Sequence, residues 1–346
     1  MRTTLTTLVL LFSSSLAFAQ SFTQPVGISK VTIEGSGTNE VAFTALSVTY
    51  ENAPLYSGTI SSVSGSVISL TTSDLATSAY AGTDPNEDAT HYVLLTSGDS
   101  EGLSLEIVDN SINTITVTSD DLESLSLSGV TMEILAHSTL ADIFGADNSA
   151  GLTSGSSSNT SDLIYTMQAD GSGIFNAYYY LTNPRLGNGW RKVGDSSGTD
   201  YQGLTLPLDT GILVSRIGDE DLTLYVYGSV KKTESHMRVL SAGFSLIGNP
   251  FPVDIQLGES GLYSADNGYV SSSSSSTSDV LYVFAADGNF DAYYYQTNPR
   301  LGNGWRKIGD STGADVATQI LPATSCFYVQ HRGTGLTWNP GRPYSL

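Results

Sequence analysis

Residues 176–200 read NAYYYLTNPRLGNGWRKVGDSSGTD, and 115 positions later residues 291–315 read DAYYYQTNPRLGNGWRKIGDSTGAD, with 20 of 25 positions identical. A chain that carries one segment twice must build two related substructures, so the duplication bounds the architecture before any propensity is weighed. Each copy opens with a Ser-rich loop, Ser154 to Ser161 or Ser271 to Ser278, with the composition of a flexible linker. A strand follows, Asp162 to Tyr165 matching Asp279 to Tyr282. Then come an Asp-Gly turn, at Asp170-Gly171 or Asp287-Gly288, and the Tyr-rich strand, which together predict a hairpin in both copies. Past the block, Leu206-Pro207 matches Leu321-Pro322, and Ile212 to Arg216 matches Phe327 to His331 as a closing strand.

The part ahead of the copies has a β rhythm of its own. Val31, Ile33, Ala42 to Tyr50, Tyr56 to Val63, Val67 to Leu70, His91 to Thr96, Leu103 to Val108 and Thr114 to Val117 are short runs separated by Ser, Gly and Asn. Ser64-Gly65 and Asp109-Asn110 supply tight-turn chemistry, and no stretch sustains a helical period for three turns. The expectation is an all-β protein: an N-terminal small β barrel or sandwich over residues 20–136, then two duplicated β modules over 137–232 and 233–346.

Residues 1–19 have the form of a secretory signal peptide, with Arg2 at the start, an apolar run near Leu8 to Phe12, and Ala17-Phe18-Ala19 before Gln20. The run is too short to span a bilayer, which takes about 20 apolar residues, so export with no membrane-spanning segment after cleavage is expected. The destination is left open among periplasm, cell surface and extracellular space. Loss of Arg2 takes the formal net charge from -20 to -21. That argues against nucleic acid, whose phosphates call for clustered Lys and Arg, and leaves a cation, a cationic partner or a neutral polymer. Cys326 is the sole cysteine, so no internal disulfide can staple the fold. Strand alternation puts it on one face with Tyr328, as a small buried residue, and Gly211 stands at its place in the first copy.

The stretches PVGISKVTIEG, YSGTISSVSGSVISL, YVLLTSGDSEGLSLEIVDNSINTITV and FSLIGNPFP, together with the YYY and GWRKIGD block, resemble an uncharacterised family of secreted, paralogous verrucomicrobial proteins. The resemblance implies export and a β-rich fold, and it brings no catalytic residues. The first copy departs from the second in lacking the Gly248 to Pro252 stretch.

In the Tyr triplets, strand alternation sends Tyr178 and Tyr180 to one face and Tyr179 to the other. The ordinary reading makes these rings, with Trp190 and Trp305, the core of a sheet. The functional reading makes Tyr179, Asn183, Arg185 and Trp190, with their partners Tyr294, Asn298, Arg300 and Trp305, two aromatic platforms with amide and guanidinium groups alongside, suited to a sugar ring. The Asn-Pro and Gly-Asn-Gly pieces of TNPRLGNGWRK are turn signals. Arg185 and Arg191 are expected to pair internally with Asp195 or Asp200.

Two further motifs are weaker. Gly194-Asp195-Ser196-Ser197-Gly198 and Gly309-Asp310-Ser311-Thr312-Gly313 fit GxSxG. A nucleophile elbow, however, needs a strand before it, a helix after it and a base, and of the four histidines only His331 lies in the aligned, duplicated region, where Arg216 is its counterpart. Asp84 to Asp88 and Asp195 to Asp200 alternate oxygens as calcium loops do but lack Gly at position six and Glu at twelve. Calcium is therefore a weak signal, and no other cofactor is indicated. The expected function is that of an exported, non-enzymatic structural or surface-associated β protein, with cell-envelope components or polysaccharide as partners. The alternative is a carbohydrate-binding protein with two related aromatic sites.

Overall fold

A computed structural model of the chain describes residues 24–37, 41–82, 89–119, 122–183, 185, 187–284, 289–298, 300 and 302–346. The signal-peptide segment, the acidic run Asp84 to Asp88 and the Asp287-Gly288 turn lie outside them. Six strands, Tyr56–Ser64, Val67–Leu70, Thr114–Val117, Ser104–Asn110, His91–Leu95 and Thr131–Ala136, close in that order into an antiparallel barrel. Ile60, Ile68, Val93, Leu95, Ile107, Ile115 and Ile134 alternate inward and fill it. The hairpin at Ser64 turns through Gly65, whose φ of 57° suits glycine. Asp109 and Asn110 are not a turn. They end the strand Ser104–Asn110, where a register shift between Ile107 and Asp109 bends the sheet round.

The barrel begins later than the sequence implies. Val26–Ile33 pairs instead with Leu222–Ser229, and Ala42–Ser47 pairs with Gly211–Arg216 of the first copy. The reason is visible in the two five-stranded sheets. One runs Gly189–Lys192, Phe175–Leu181, Leu163–Met167, Gly211–Arg216, Ala42–Ser47; the other runs Gly304–Lys307, Phe290–Gln296, Val280–Phe284, Cys326–Trp338, Arg238–Gly248. The orders are the same, and so are the registers: Ser47 faces Gly211 as Gly248 faces Cys326. AFTALS at 42–47 is therefore the first copy's form of GFSLIG at 243–248, shifted by 201 rather than 115 positions because the barrel has been spliced in after it. In the second copy, residues 249–254 alone lead from the opening strand to Ile255–Gln256, which pairs with Ile320–Leu321. In the first copy the whole barrel occupies that connection before Ser138–Thr139, which pairs with Thr205–Leu206. The splice is sterically easy, because the barrel's first and last strands are partners, Tyr56 opposite Ile134, and bring its two ends together.

Each sheet covers a core on one face, around Trp190, Tyr178 and Ile164 in the first copy and around Trp305, Tyr293 and Leu281 in the second. A buried carboxylate ties each Ser-rich loop to the closing strand. Asp162 accepts from the Thr153 and Ile217 amides and from Arg216, and Asp279 accepts from the Val270 and Arg332 amides and from His331 Nδ1 at 2.8 Å. The Ser loops are consequently not linkers: Ser161 and Ser278 are buried and donate back to the carbonyls of Ser157 and Ser274.

The opposite faces of the two sheets meet through Leu213, Leu246 and Cys326. Ser47 N donates to Thr324 O at 2.8 Å, and Gly248 N donates to Asp209 O at 2.7 Å. These are equivalent positions exchanging equivalent bonds, as across a two-fold axis. On that axis like positions face each other, and there is space for one side chain only. A Cβ on Gly248 would stand 1.9 Å from Ser47 Oγ, and one on Gly211 would stand 2.9 Å from the Cβ of Cys326. Gly248→Ser should therefore destabilise the protein by about 1–3 kcal/mol through overpacking. Adding Ser47→Gly, which moves the side chain across the axis, should recover most of that loss in urea unfolding. A double variant as unstable as the single one would refute the axial arrangement.

Candidate functional site

The duplicated blocks turn their largest rings inward. Trp190 is fully buried, its Nε1 donating to Gly145 O at 2.9 Å and its ring edge-on to Tyr180 at 5.3 Å. Trp305 is buried against Tyr295 and Tyr269 at 5.6 and 5.8 Å. Neither indole can offer a face to a ligand. Tyr179 and Tyr294 lie half-buried on the outer face, opposite Arg191 and Arg306 across the strand pair.

The TNPRLGNG loops are fastened to themselves. Asn183 Oδ1 accepts from the Arg185 amide at 2.8 Å while Asn183 N donates to Asn188 Oδ1, and Asn298, Arg300 and Asn303 repeat the pattern. These are Asx turns, with Asn188 and Asn303 as cross-braces. Arg185 and Arg300 are exposed at the loop tips, whereas Arg191 and Arg306 fold back to the carbonyls of Trp190 and Trp305 and lie 3.8 Å from Asp200 and Asp315. Gly189 is required beneath them, because a Cβ there would meet Asp200 Oδ2 at 2.6 Å. The eight candidate residues thus divide into two buried indoles, two half-buried phenols and two self-bonded loops.

The GxSxG segments are turns. Asp195 accepts from the Ser197 amide and hydroxyl and from Tyr201, and Asp310 accepts from the Thr312 amide and hydroxyl, which holds both carboxyls below the ordinary aspartate range. Ser196 and Ser311 are exposed beside them. The histidines are engaged elsewhere: His91 with Thr90, His137 with Glu106 at 2.6 Å, His236 with Asp209 at 2.5 Å and His331 with Asp279. Among the described residues no group of three or more His, Cys, Asp or Glu is placed to hold a metal ion. Cys326 is buried with Sγ 3.5 Å from Ile212 O, and burial pushes its thiol up to about 12. No helix among the described residues is long and apolar enough to cross a membrane.

One open cleft, of about 370 Å³, lies where the tip of the first copy's hairpin meets the second copy's sheet. Phe244, Tyr282, Phe290 and Tyr328 line it with Met167 and Gly173. None of these residues is among the eight candidates drawn from the duplicated block. Their signal is that Tyr282 and Tyr328 alternate with the core positions Leu281, Val283, Phe327 and Val329, so these strands are apolar on both faces, as strands covered on both sides are. Comparison with protein-family models, with curated proteins and with solved structures found no match to this chain.

Two outcomes follow from this geometry. Trp190→Ala and Trp305→Ala should each cost about 3–5 kcal/mol of stability, as large core truncations do; a folded variant with unchanged denaturation would return the indoles to the surface. The second concerns pH. Burial holds His236 below the ordinary histidine range, against the opposing pull of Asp209; burial alone would raise Asp209, but Arg238 and His236 bring it below its usual range. As pH falls, the unfolded chain binds the histidine proton first. The contribution of His236 is therefore complete above about pH 6.5 and is lost as pH falls through the lower folded value. His236→Gln should flatten the dependence of melting temperature on pH between about 6.5 and 5, and an unaltered slope would contradict this.

Proposed function

We propose that this is an exported, non-enzymatic structural or surface-associated β protein, related to the secreted family it resembles, in which two fused modules carry an inserted barrel. One observation carries the reading. The largest of the residues shared by the two copies are spent on holding the modules together: Trp190, Trp305, Tyr178 and Tyr293 in the cores, Gly189 and Gly304 beneath the loops, and Arg191 and Arg306 folded back as clamps. A duplicated catalytic or sugar-stacking site would hold its repeated functional groups outward, toward substrate.

The acidic, sparsely charged composition supports partners among neutral or cationic envelope components rather than nucleic acid. A repeated pair of aromatic sugar sites is disfavoured by the burial of both indoles. The reading is tested by fractionating the producing cells and by probing the intact cells with protease and with antibody against residues 20–346. The expected result is protein in the surface or secreted fraction with no labelling by a fluorophosphonate. Cytoplasmic retention, or covalent labelling at Ser196 or Ser311, would overturn it.

A further inference from the structure

We propose that the cleft between the two copies binds a small uncharged aromatic molecule bearing a hydrogen-bond acceptor, a ligand-carrying role beyond the structural one. The cleft walls set the shape. Phe290 stands edge-on to Tyr282 at 6.4 Å and edge-on to Tyr328 at 5.6 Å. This is the spacing and inclination at which aromatic rings attract one another, so a further ring can join the cluster on the same terms. The volume of about 370 Å³ is at the small end of ligand pockets, enough for one or two rings.

Charge narrows the class. None of the lining side chains is ionic, and an ion placed among phenylalanine, tyrosine and methionine would lose its hydration without a partner. The acceptor follows from the phenols. Tyr328 has no hydrogen-bond partner for its hydroxyl among the described residues, and the Tyr282 hydroxyl reaches only Gln330 Oε1 at 3.5 Å, too long to be a strong bond. Burial pushes the Tyr328 phenol up to about 12, so at neutral pH it keeps its proton and is a donor.

A sugar ring fits poorly. Its several hydroxyls need fixed polar partners, and the Ser172 hydroxyl at the cleft edge is already donated to Asp170 at 2.5 Å. The floor is held open by the backbone: Gly173 carries no side chain, and Gly171 O accepts from the Phe244 amide at 2.9 Å, fixing the hairpin tip against the second copy. The site is single despite the duplication, because Leu213 stands where the second copy has Tyr328.

The test uses the whole mature chain, residues 20–346, with acetophenone, toluene and methyl β-glucoside as probes, followed by saturation-transfer NMR and titration. Acetophenone and toluene should bind saturably, acetophenone the more tightly. Tyr328→Phe should weaken acetophenone about 2- to 10-fold, the worth of one neutral hydrogen bond, and leave toluene unchanged. Phe290→Ala should weaken both, with melting temperatures recorded for each variant; should Phe290→Ala fail to fold, the Tyr328→Phe comparison decides alone. No saturable binding of acetophenone up to its solubility limit, equal binding by wild type and Tyr328→Phe, or stronger binding of the glucoside would each overturn the proposal. None of these results depends on where the protein is finally located.

Discussion

Two sheets that meet on a two-fold axis cannot both carry a side chain where like positions face each other. Everything about the contact between the copies is arranged around that exclusion. Where the first copy has Ser47 the second has Gly248, and where the second has Cys326 the first has Gly211. The reciprocal backbone bonds from Ser47 to Thr324 and from Gly248 to Asp209 form only because the chains approach this closely. The cleft that receives the aromatic cluster is the off-axis remainder of the same contact, where the faces diverge and Phe244, Phe290 and Tyr328 are left partly uncovered. The exclusion also explains the lone thiol: a cysteine is small and apolar enough for the single space, and burial removes its reactivity.

Much of the fold was legible in the sequence because duplication and β periodicity are strong signals. The hairpins, the closing strands, the face shared by Cys326 and Tyr328, and a small barrel or sandwich within the N-terminal segment all follow from alternation and turn chemistry. The first copy's opening strand was not legible. AFTALS and GFSLIG share little beyond Phe43 and Phe244, and the barrel separates AFTALS from the rest of its module, so only strand order reveals the match. The Ser-rich loops misled by composition, since a buried carboxylate outweighs the flexibility that serine implies. The candidate site was misplaced for a similar reason. Identity between copies drew attention to the indoles, while the rings of the cleft lie outside the near-identical block, where Phe244, Tyr282 and Phe290 are matched by Phe43, Tyr165 and Phe175 and Tyr328 alone is replaced, by Leu213.

Electrostatically the molecule sets several of its few cations directly against buried anions. Lys231 is buried against Glu51 at 2.6 Å, Arg216 against Asp162, and Asp209 is shared by His236 and Arg238. Breaking such pairs strands a buried charge, which costs more than the intact pair contributes. Their value here is positional: Arg216 and Asp162 hold the first copy's Ser-rich loop to its closing strand, while the pairs of Lys231 with Glu51 and of His236 and Arg238 with Asp209 fasten the linker between the copies.

The splice after Ser47 has a consequence for the order in which the chain becomes structured. The opening strand of the first copy must find Gly211–Arg216 across a long stretch of chain, and the entropy of closing such a loop grows with its length. Once the barrel has formed, its paired first and last strands place the residues that flank it side by side. The loop still to be closed is then shortened by the barrel's whole length. The inserted domain thus serves as a clip that brings the two parts of an interrupted module within reach before that module has any core of its own.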